Sequence, residues 1–101
     1  MPRYEFTHEA ERDLEVITDF TYEQWGRRQA EKYINGLNER AQNLADNPGL
    51  GMKRGALLEG LLSFPYLSHV LYYVQQTHGI TVIRVLHKRV DHERTIGSVD
   101  S

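Results

Sequence analysis

Apolar side chains follow two different periods in the first quarter of the chain. Residues 3–7 alternate polar and aromatic side chains, a pattern typical of a short half-buried strand. The apolar positions then recur every three or four residues, at Ala10, Leu14, Ile17 and Thr21. This spacing predicts a helix that runs to about Gln24, with Thr7 as its N-terminal cap.

A second helical pattern begins after Trp25-Gly26 and ends before Asn47-Pro48-Gly49. Its apolar positions are Ala30, Tyr33 or Ile34, Leu37, Ala41, Leu44 and Ala45. The two patterns together predict a helical hairpin. We expect Trp25 to fill the core at the bend of this hairpin, because bulky rings between two helices are usually buried. The alternative is an exposed ring that anchors a partner.

The second half of the chain has the pattern of a sheet. A Gly-containing basic loop covers residues 49–60, and Thr77-His78-Gly79 supplies a tight turn. Strand-like runs occupy 61–64, 67–76 and 80–88. The order of elements predicts one α+β domain over residues 1–101: an N-terminal strand, a helical hairpin and a three-stranded antiparallel meander, with both helices on one face of an antiparallel sheet.

The meander must present two faces, because side chains alternate along each strand. We assign one face to the helices, and it carries Val70, Tyr72, Val74, Ile83 and Val85. The opposite face then carries His69, Leu71, Tyr73, Ile80, Val82, Arg84, Leu86 and Lys88. Because this second face is too apolar to be left in water, we expect a partner protein to cover it. Alternatively, residues 91–101 fold back over it.

Composition narrows the class of protein. The chain has 101 residues, enough for one core, and no cysteine, which excludes disulfides, thiolate chemistry and sulfur-ligated zinc. The apolar run over residues 70–74 is far shorter than the roughly 20 residues that cross a bilayer, and residues 1–9 lack the features of a secretion signal. We therefore expect a cytoplasmic protein that does not bind membranes.

Charge is distributed unevenly along the chain. The formal net charge is −2, with an acidic excess in residues 1–50 and a basic excess in residues 51–101. A net charge so close to zero argues against tight nonspecific DNA binding, because such binding depends on many contacts between basic side chains and phosphates. It leaves room for a local basic site in the second half.

The densest polar cluster follows the last predicted strand. Its members are Arg84, His87, Lys88, Arg89, Asp91 and His92. An imidazole beside guanidinium groups could support RNA cleavage, but the pattern places no second acid or base. The alternative is that Arg84 lies across Tyr73 or pairs with an acid while the other side chains are solvated. The spacing matches no metal signature, so we expect no metal, no cofactor and no catalytic residue.

Several motifs, taken in order, resemble one known family along almost the whole chain. The first are Ala10, Asp13-Leu14 and Ile17, then Trp25-Gly26, Gln29-Ala30 and Tyr33, then Leu44-Ala45, Pro48 and Gly51. The most specific are residues 69–73 (HVLYY) and 83–91 (IRVLHKRVD). On these motifs the chain resembles the ParE branch of the RelE/ParE toxin superfamily.

The resemblance implies a toxin of a type II toxin–antitoxin pair. Such a toxin is neutralised by a ParD-like antitoxin, reaches operator DNA only through that antitoxin, and inhibits or poisons DNA gyrase without being an enzyme. Two alternatives stay open: a ribosome-dependent mRNA endonuclease of the RelE type, and a relative that binds its antitoxin without being toxic. The net acidic charge and the lack of a tyrosine after Tyr73 argue against the endonuclease.

The fold and the resemblance together give two sets of candidate binding residues. We predict that the antitoxin contacts the face opposite the helices together with basic groups, through Arg54, Leu71, Tyr73, Ile80, Val82, Arg84, Leu86 and Lys88. For the target we predict His87, Arg89 and Asp91, at the basic turn after the last strand.

Overall fold

The computed structural model describes residues 1–97 of the chain. Its elements, in chain order, are β1 (Arg3–Phe6), α1 (His8–Trp25), α2 (Arg27–Asp46), a 3-10 turn (Pro48–Leu50), β2 (Met52–Lys53), β3 (Leu61–Tyr66), β4 (His69–Gln76), β5 (Gly79–His87) and α3 (His92–Gly97). The strands form one sheet in the order β1-β5-β4-β3-β2. The predicted α+β class, helical hairpin and antiparallel meander are confirmed. Within residues 1–97, no helix has the length and apolarity needed to cross a bilayer.

The N-terminal strand makes the sheet mixed instead of wholly antiparallel. β1 pairs with β5 in parallel, from Arg3 opposite Gly79 to Phe6 opposite Val82. Parallel neighbours need a long connection, and the helices and the first strands of the meander supply it. Gly79 has a φ of +144°, and a Cβ at this position would collide with the Arg3 backbone. Glycine is therefore required where β1 joins the turn into β5.

The first helix begins where the sequence predicts. The Thr7 hydroxyl oxygen accepts a hydrogen bond from the Ala10 backbone N–H at 3.1 Å, as an N-cap does. The same hydroxyl donates to the Ile83 carbonyl at 3.0 Å, so the cap also ties α1 to β5. The helix ends at Trp25, and Gly26 adopts a φ of +89° between α1 and α2.

The sheet packs on the helices through the opposite face from the one that we predicted. Leu71, Tyr73, Ile80 and Val82 are fully buried and form the main core with Leu37, Ala41 and Leu44 of α2. The assignment of these four residues to a bare, partner-binding face was therefore wrong. Up to Ile83, alternation places the residues of the meander correctly in two sets, but it does not say which set meets the helices.

A bulge in β5 displaces the alternation near the end of the strand. Tyr72 pairs with Arg84 and Tyr73 pairs with Val82, so Ile83 is an extra residue in β5. Beyond the bulge, Val85 joins the main core with Leu71 and Tyr73, and Leu86 lies on the far face with Tyr72. Val85 and Leu86 therefore lie on the sides predicted for them, although simple alternation groups each with the other set of neighbours. The extra residue shifts every later side chain to the other face.

The far face of the sheet is covered by the chain itself. Ile96 of α3 is almost completely buried against Leu61, Tyr72 and Leu86. His92, the first residue of α3, contacts the Tyr72 hydroxyl through Nδ1 at 2.6 Å and the His87 carbonyl through Nε2 at 2.8 Å. The alternative in which the C-terminal segment folds back is therefore observed for residues 92–97, and positions 98–101 lie outside the described residues.

One ion pair holds α1 against β5. Arg84 donates two hydrogen bonds to the Asp13 carboxylate, from Nε to Oδ2 at 2.8 Å and from Nη2 to Oδ1 at 2.9 Å. Asp13 Oδ2 also accepts from the Val85 backbone N–H at 2.9 Å. The hydrogen bond to Asp13 raises the pKa of Arg84 above its ordinary value. The alternative in which Arg84 pairs with an acid is therefore observed, and its place at the antitoxin interface stays a prediction.

Removal of this ion pair should destabilise the fold. We expect Asp13→Ala to lower the free energy of unfolding by about 2–3 kcal/mol, because it leaves a part-buried guanidinium and a backbone N–H without their acceptor. Urea unfolding followed by circular dichroism measures the change. Glu11→Ala, on an exposed part of the same helix, should change stability by less than about 0.5 kcal/mol. Equal effects of the two substitutions would show that the pair is not a structural anchor.

Candidate functional site

Exposed apolar side chains surround a groove at one end of the molecule. Their exposed fractions are 68% for Val16, 61% for Phe20, 71% for Trp25 and 64% for Leu67. These residues line a groove of about 470 Å³ together with Gln29 and Tyr33 of α2 and with His69 and His87 of the sheet. Contiguous exposed apolar surface on a small domain commonly marks a binding site. We call this feature the α1 groove.

The helix supplies the apolar wall of the α1 groove from a face that the core does not use. Ala10, Ile17 and Thr21 point into the protein and are buried. Val16 and Phe20 are four residues apart and so project together from a neighbouring face. Trp25 is the last residue of α1, and the Gly26 bend leaves its ring in solvent. The prediction that Trp25 fills the core was wrong, and the exposed alternative is the one observed.

The floor of the groove is a polar network built on Tyr33. The Tyr33 hydroxyl lies 2.7 Å from His69 Nδ1 and accepts a longer hydrogen bond, 3.3 Å, from the Ser68 backbone N–H. Tyr66 donates to the Tyr33 carbonyl at 2.9 Å. The His69 ring is also in edge-to-face contact with His87, at 5.2 Å between ring centroids. These contacts hold the aromatic and imidazole rings of the floor in fixed positions.

The imidazole of His69 is neutral at physiological pH. Burial, and secondarily the neighbouring His87, lowers the pKa of His69 to about 4. Burial also raises the pKa of the Tyr33 hydroxyl. A neutral imidazole that is hydrogen-bonded to a protonated tyrosine is a poor proton donor at pH 7. This arrangement suits a structural floor better than acid–base chemistry.

No Asp, Glu, Lys or Arg lines the groove among the described residues, but charged residues of opposite sign neighbour its lining residues in sequence. The helix α1 contains six acidic residues and one arginine, and Asp19 and Glu23 are exposed close to Val16 and Phe20. On the opposite side, exposed Lys88 and Arg89 follow His87 directly. The groove therefore lies between an acidic helix and a basic turn.

The remaining predicted site residues lie around this turn or on the far face. His87, Lys88, Arg89 and Asp91 are exposed, and Leu86 is buried beneath α3. Asp91 accepts a hydrogen bond from the Arg94 backbone N–H at 3.1 Å, so it caps α3. Arg54 is half-buried, and its Nε donates to the Ser63 hydroxyl at 3.0 Å. The structure thus brings together the predicted target residues, whereas Arg54, which was predicted for the antitoxin, is hydrogen-bonded to β3.

Four residues that shape the groove were absent from the predicted binding sets. They are Val16, Phe20, Trp25 and Leu67. Val16 and Phe20 could have been found from the sequence, because they are large apolar residues that lie off the predicted core stripe of α1. Leu67 gives no such signal, since it lies in the β3–β4 turn with a φ of +50°.

The low pKa of His69 should make stability fall in acid. The ordinary pKa of histidine is 6.5 and the folded value about 4, so the unfolded chain binds the proton more readily between these pH values. Neutral His69 therefore makes its full contribution to the free energy of unfolding above pH 6.5. This contribution, about 3 kcal/mol at most, is lost as the pH falls to about 4. Urea unfolding of the protein and of His69→Asn across this range measures it.

His69→Asn keeps a hydrogen-bond acceptor near Tyr33 but cannot titrate, so its stability should depend less on pH over this window. His8→Gln, which removes an exposed imidazole, provides the matched control and should retain the steeper dependence of the wild type. Parallel curves for the wild type and His69→Asn would contradict the assignment.

Comparison with known proteins places the chain in a family. A family model described as "ParE toxin of type II toxin-antitoxin system, parDE" matches residues 4–92. Toxin ParE1 of Mycobacterium tuberculosis H37Rv is 37% identical over 95 residues, which cover 93% of this chain and 97% of that protein. Toxin ParE1 of Caulobacter vibrioides is 29% identical over 97 residues, covering 96% and 100%.

Solved structures share the fold. A chain of the chromosomal ParDE toxin–antitoxin system from P. aeruginosa matches with a TM-score of 0.72 at 19% identity, covering 86% of this chain and 96% of that one. A chain of the YoeB–YefM complex from Staphylococcus aureus matches with a TM-score of 0.56 at 18% identity, covering 86% and 97%. The resemblance found in the sequence motifs is thereby confirmed, and the chain belongs to the ParE toxins of type II toxin–antitoxin systems.

Proposed function

We propose that this chain is a toxin that inhibits or poisons DNA gyrase in the bacterial cytoplasm, and that a ParD-like antitoxin neutralises it. In this proposal the chain acts by binding other proteins and is not an enzyme. The observation that carries the proposal is the α1 groove, where four large apolar side chains of a small domain are exposed side by side. Burial of each by a partner would contribute about 1.5–3 kcal/mol.

Two polar side chains, Arg84 and His69, are held in contacts that suit a structural role better than RNA cleavage. RNA cleavage would need a proton-transferring group and a cation that stabilises the phosphate at the same place. Arg84 is held by two hydrogen bonds to Asp13, and His69 is neutral and hydrogen-bonded to Tyr33. Of the groups that sequence analysis offered for cleavage, exposed His87 and Arg89 remain.

A flexible antitoxin segment fits the α1 groove well. A disordered chain that becomes ordered on binding can follow an extended apolar groove, and it remains open to proteolysis when unbound. The P. aeruginosa relative was solved as part of a ParDE system, which supports a ParD-like partner for this chain. Contact with operator DNA would then pass through the antitoxin, as the mild net charge of −2 also favours.

Gyrase recognition is proposed at the turn between β5 and α3. Exposed His87, Lys88 and Arg89 form a compact basic patch there. Asp91 contributes indirectly, since its side chain caps α3 and thereby fixes the end of the turn. Lys88, which the sequence analysis assigned to the antitoxin, lies within reach of either partner.

Expression of the chain without antitoxin should arrest bacterial growth and trap gyrase on cleaved DNA. Covalent gyrase–DNA complexes recovered from arrested cells measure this outcome. The variant Lys88→Glu/Arg89→Glu should reduce the yield of trapped complexes at least tenfold, because charge reversal removes the proposed contacts. Lys53→Glu/Arg27→Glu, which reverses two exposed charges elsewhere, is the matched control and should remain toxic.

Other outcomes of this experiment would overturn the proposal. Ribosome-dependent cuts in transcripts without trapped gyrase would identify an mRNA endonuclease. Normal growth with stable, folded protein would identify a relative that binds its antitoxin without being toxic.

Neutralisation should depend on the apolar wall of the α1 groove. We expect Phe20→Ala/Trp25→Ala to remain folded, because both rings are exposed, and to weaken antitoxin binding at least a hundredfold. Co-purification with the antitoxin and calorimetry measure the loss. Tyr22→Ala removes an exposed ring from another face of α1 and should bind normally. Unchanged affinity of the double variant would exclude the groove as the antitoxin site.

A further inference from the structure

The turn between β5 and α3, residues 87–91, is tied to the rest of the sheet from two sides. On one side, the Lys88 backbone N–H donates to the Ser68 carbonyl, in the β3–β4 turn, at 3.0 Å. On the other side, the His87 carbonyl lies 2.8 Å from His92 Nε2. A carbonyl oxygen can only accept, so Nε2 of His92 carries a hydrogen and donates it to the turn.

His92 connects this turn to the buried part of the far face. Its second ring nitrogen, Nδ1, lies 2.6 Å from the Tyr72 hydroxyl, and the two rings are in edge-to-face contact at 5.4 Å between centroids. Tyr72 is 2% exposed and lies in the middle of β4. One imidazole therefore links the backbone of the turn to a side chain that the core holds in place.

The helix that carries His92 is itself anchored. The Asp91 side chain accepts a hydrogen bond from the Arg94 backbone N–H at 3.1 Å, which caps α3. At the other end of the helix, Ile96 is almost completely buried on the far face. Because both the helix and Tyr72 are fixed, the His92 ring is held in one orientation between them.

The remaining hydrogen bonds of the turn do not fix its orientation on the sheet in the same way. The Val90 N–H donates to the His87 carbonyl at 3.2 Å, and the Arg89 N–H donates to His87 Nδ1 at 3.1 Å. Both of these bonds lie within the turn. The Lys88 and Arg89 side chains are exposed, and in the part of the chain that the structure describes neither forms an ion pair. The region that their charges reach is therefore set by the backbone of the turn.

We propose that His92 is a positioning residue for gyrase recognition, because its hydrogen bond to the His87 carbonyl holds the turn in the orientation that presents Lys88 and Arg89. The contact with Tyr72 anchors the ring. This inference rests on the proposed function, in which gyrase is the partner of the turn. A turn that is ordered before binding loses less conformational entropy on docking, so loss of the link weakens recognition although every basic side chain remains.

Three substitutions separate the two contacts of the His92 ring. His92→Phe keeps an aromatic ring beside Tyr72 but removes both ring nitrogens. His92→Gln keeps an N–H donor near the position of Nε2, so it retains the bond to the His87 carbonyl. Tyr72→Phe removes only the hydroxyl on the other side of the ring and leaves the link to the turn intact.

Trapping of gyrase in cells measures the effect on recognition. Each full-length variant is expressed without antitoxin, and the yield of covalent gyrase–DNA complexes is compared at equal amounts of protein. We expect His92→Phe to lower this yield about tenfold, and His92→Gln and Tyr72→Phe to stay within about twofold of the wild type. Urea unfolding of the purified chains accompanies the comparison. Tyr72→Phe should lower the midpoint, since it leaves His92 Nδ1 without its partner, and it therefore controls for a loss of stability alone.

Hydrogen exchange gives a readout that does not involve gyrase. The Val90 amide is bonded to the same carbonyl that His92 holds. It should exchange about tenfold faster in purified His92→Phe than in the wild type, and at about the wild-type rate in His92→Gln.

A loss of trapping in His92→Gln or Tyr72→Phe as large as that in His92→Phe would overturn the inference, because the yield would then not follow the link to the turn. Unchanged trapping or unchanged Val90 exchange in His92→Phe would overturn it as well. The two proposals fail in different ways. A wild-type chain that traps no gyrase contradicts the proposed function, whereas normal trapping by both the wild type and His92→Phe contradicts only the role of His92.

Discussion

The fold depends on one constraint: the two central strands are apolar on both faces. Leu71 and Tyr73 of β4 point to one side of the sheet and Tyr72 to the other. Because exposing either apolar face to water is unfavourable, other elements must pack on both faces of the sheet. The helical hairpin packs on one face, and the short helix α3, through Ile96, packs on the other. Elements of the same chain thus bury the core residues of both faces.

Elements of the same chain bury the core residues on both faces of the sheet, and exposed apolar surface is found elsewhere, in the α1 groove. It is on the outer side of α1, where Val16 and Phe20 do not contribute to the core. The ion pair between Asp13 and Arg84 holds this helix against β5 and keeps the wall of the groove in place. Arg84 therefore helps to position the helix that carries the groove. The same pairing engages two nitrogens of its guanidinium within the chain.

Local signals in the sequence were sufficient for most of the secondary structure. The Thr7 cap, the Gly26 bend and the Thr77-His78 turn lie where the residue types predict, because each depends on the chemistry of one or two neighbouring residues. The candidate site was less predictable. Leu71 and Tyr73 were assigned to the wrong side, and Trp25 to the core, because burial of a side chain depends on elements distant in sequence.

Taken alone, the sequence determined the class of fold, the order of its elements and the family to which the chain belongs, since periodicity, caps and ordered motifs are properties of short segments. Tertiary structure decided which side of the sheet meets the helices and where apolar surface remains exposed. The bulge at Ile83 shows why: one extra residue, invisible in the apolar pattern, places Val85 with Leu71 and Tyr73. Leu86 is placed with Tyr72 in the same way, so Val85 and Leu86 lie on the sides predicted for them although their predicted neighbours do not. Packing between distant elements decides such choices, because it selects the arrangement that leaves the least apolar surface in water.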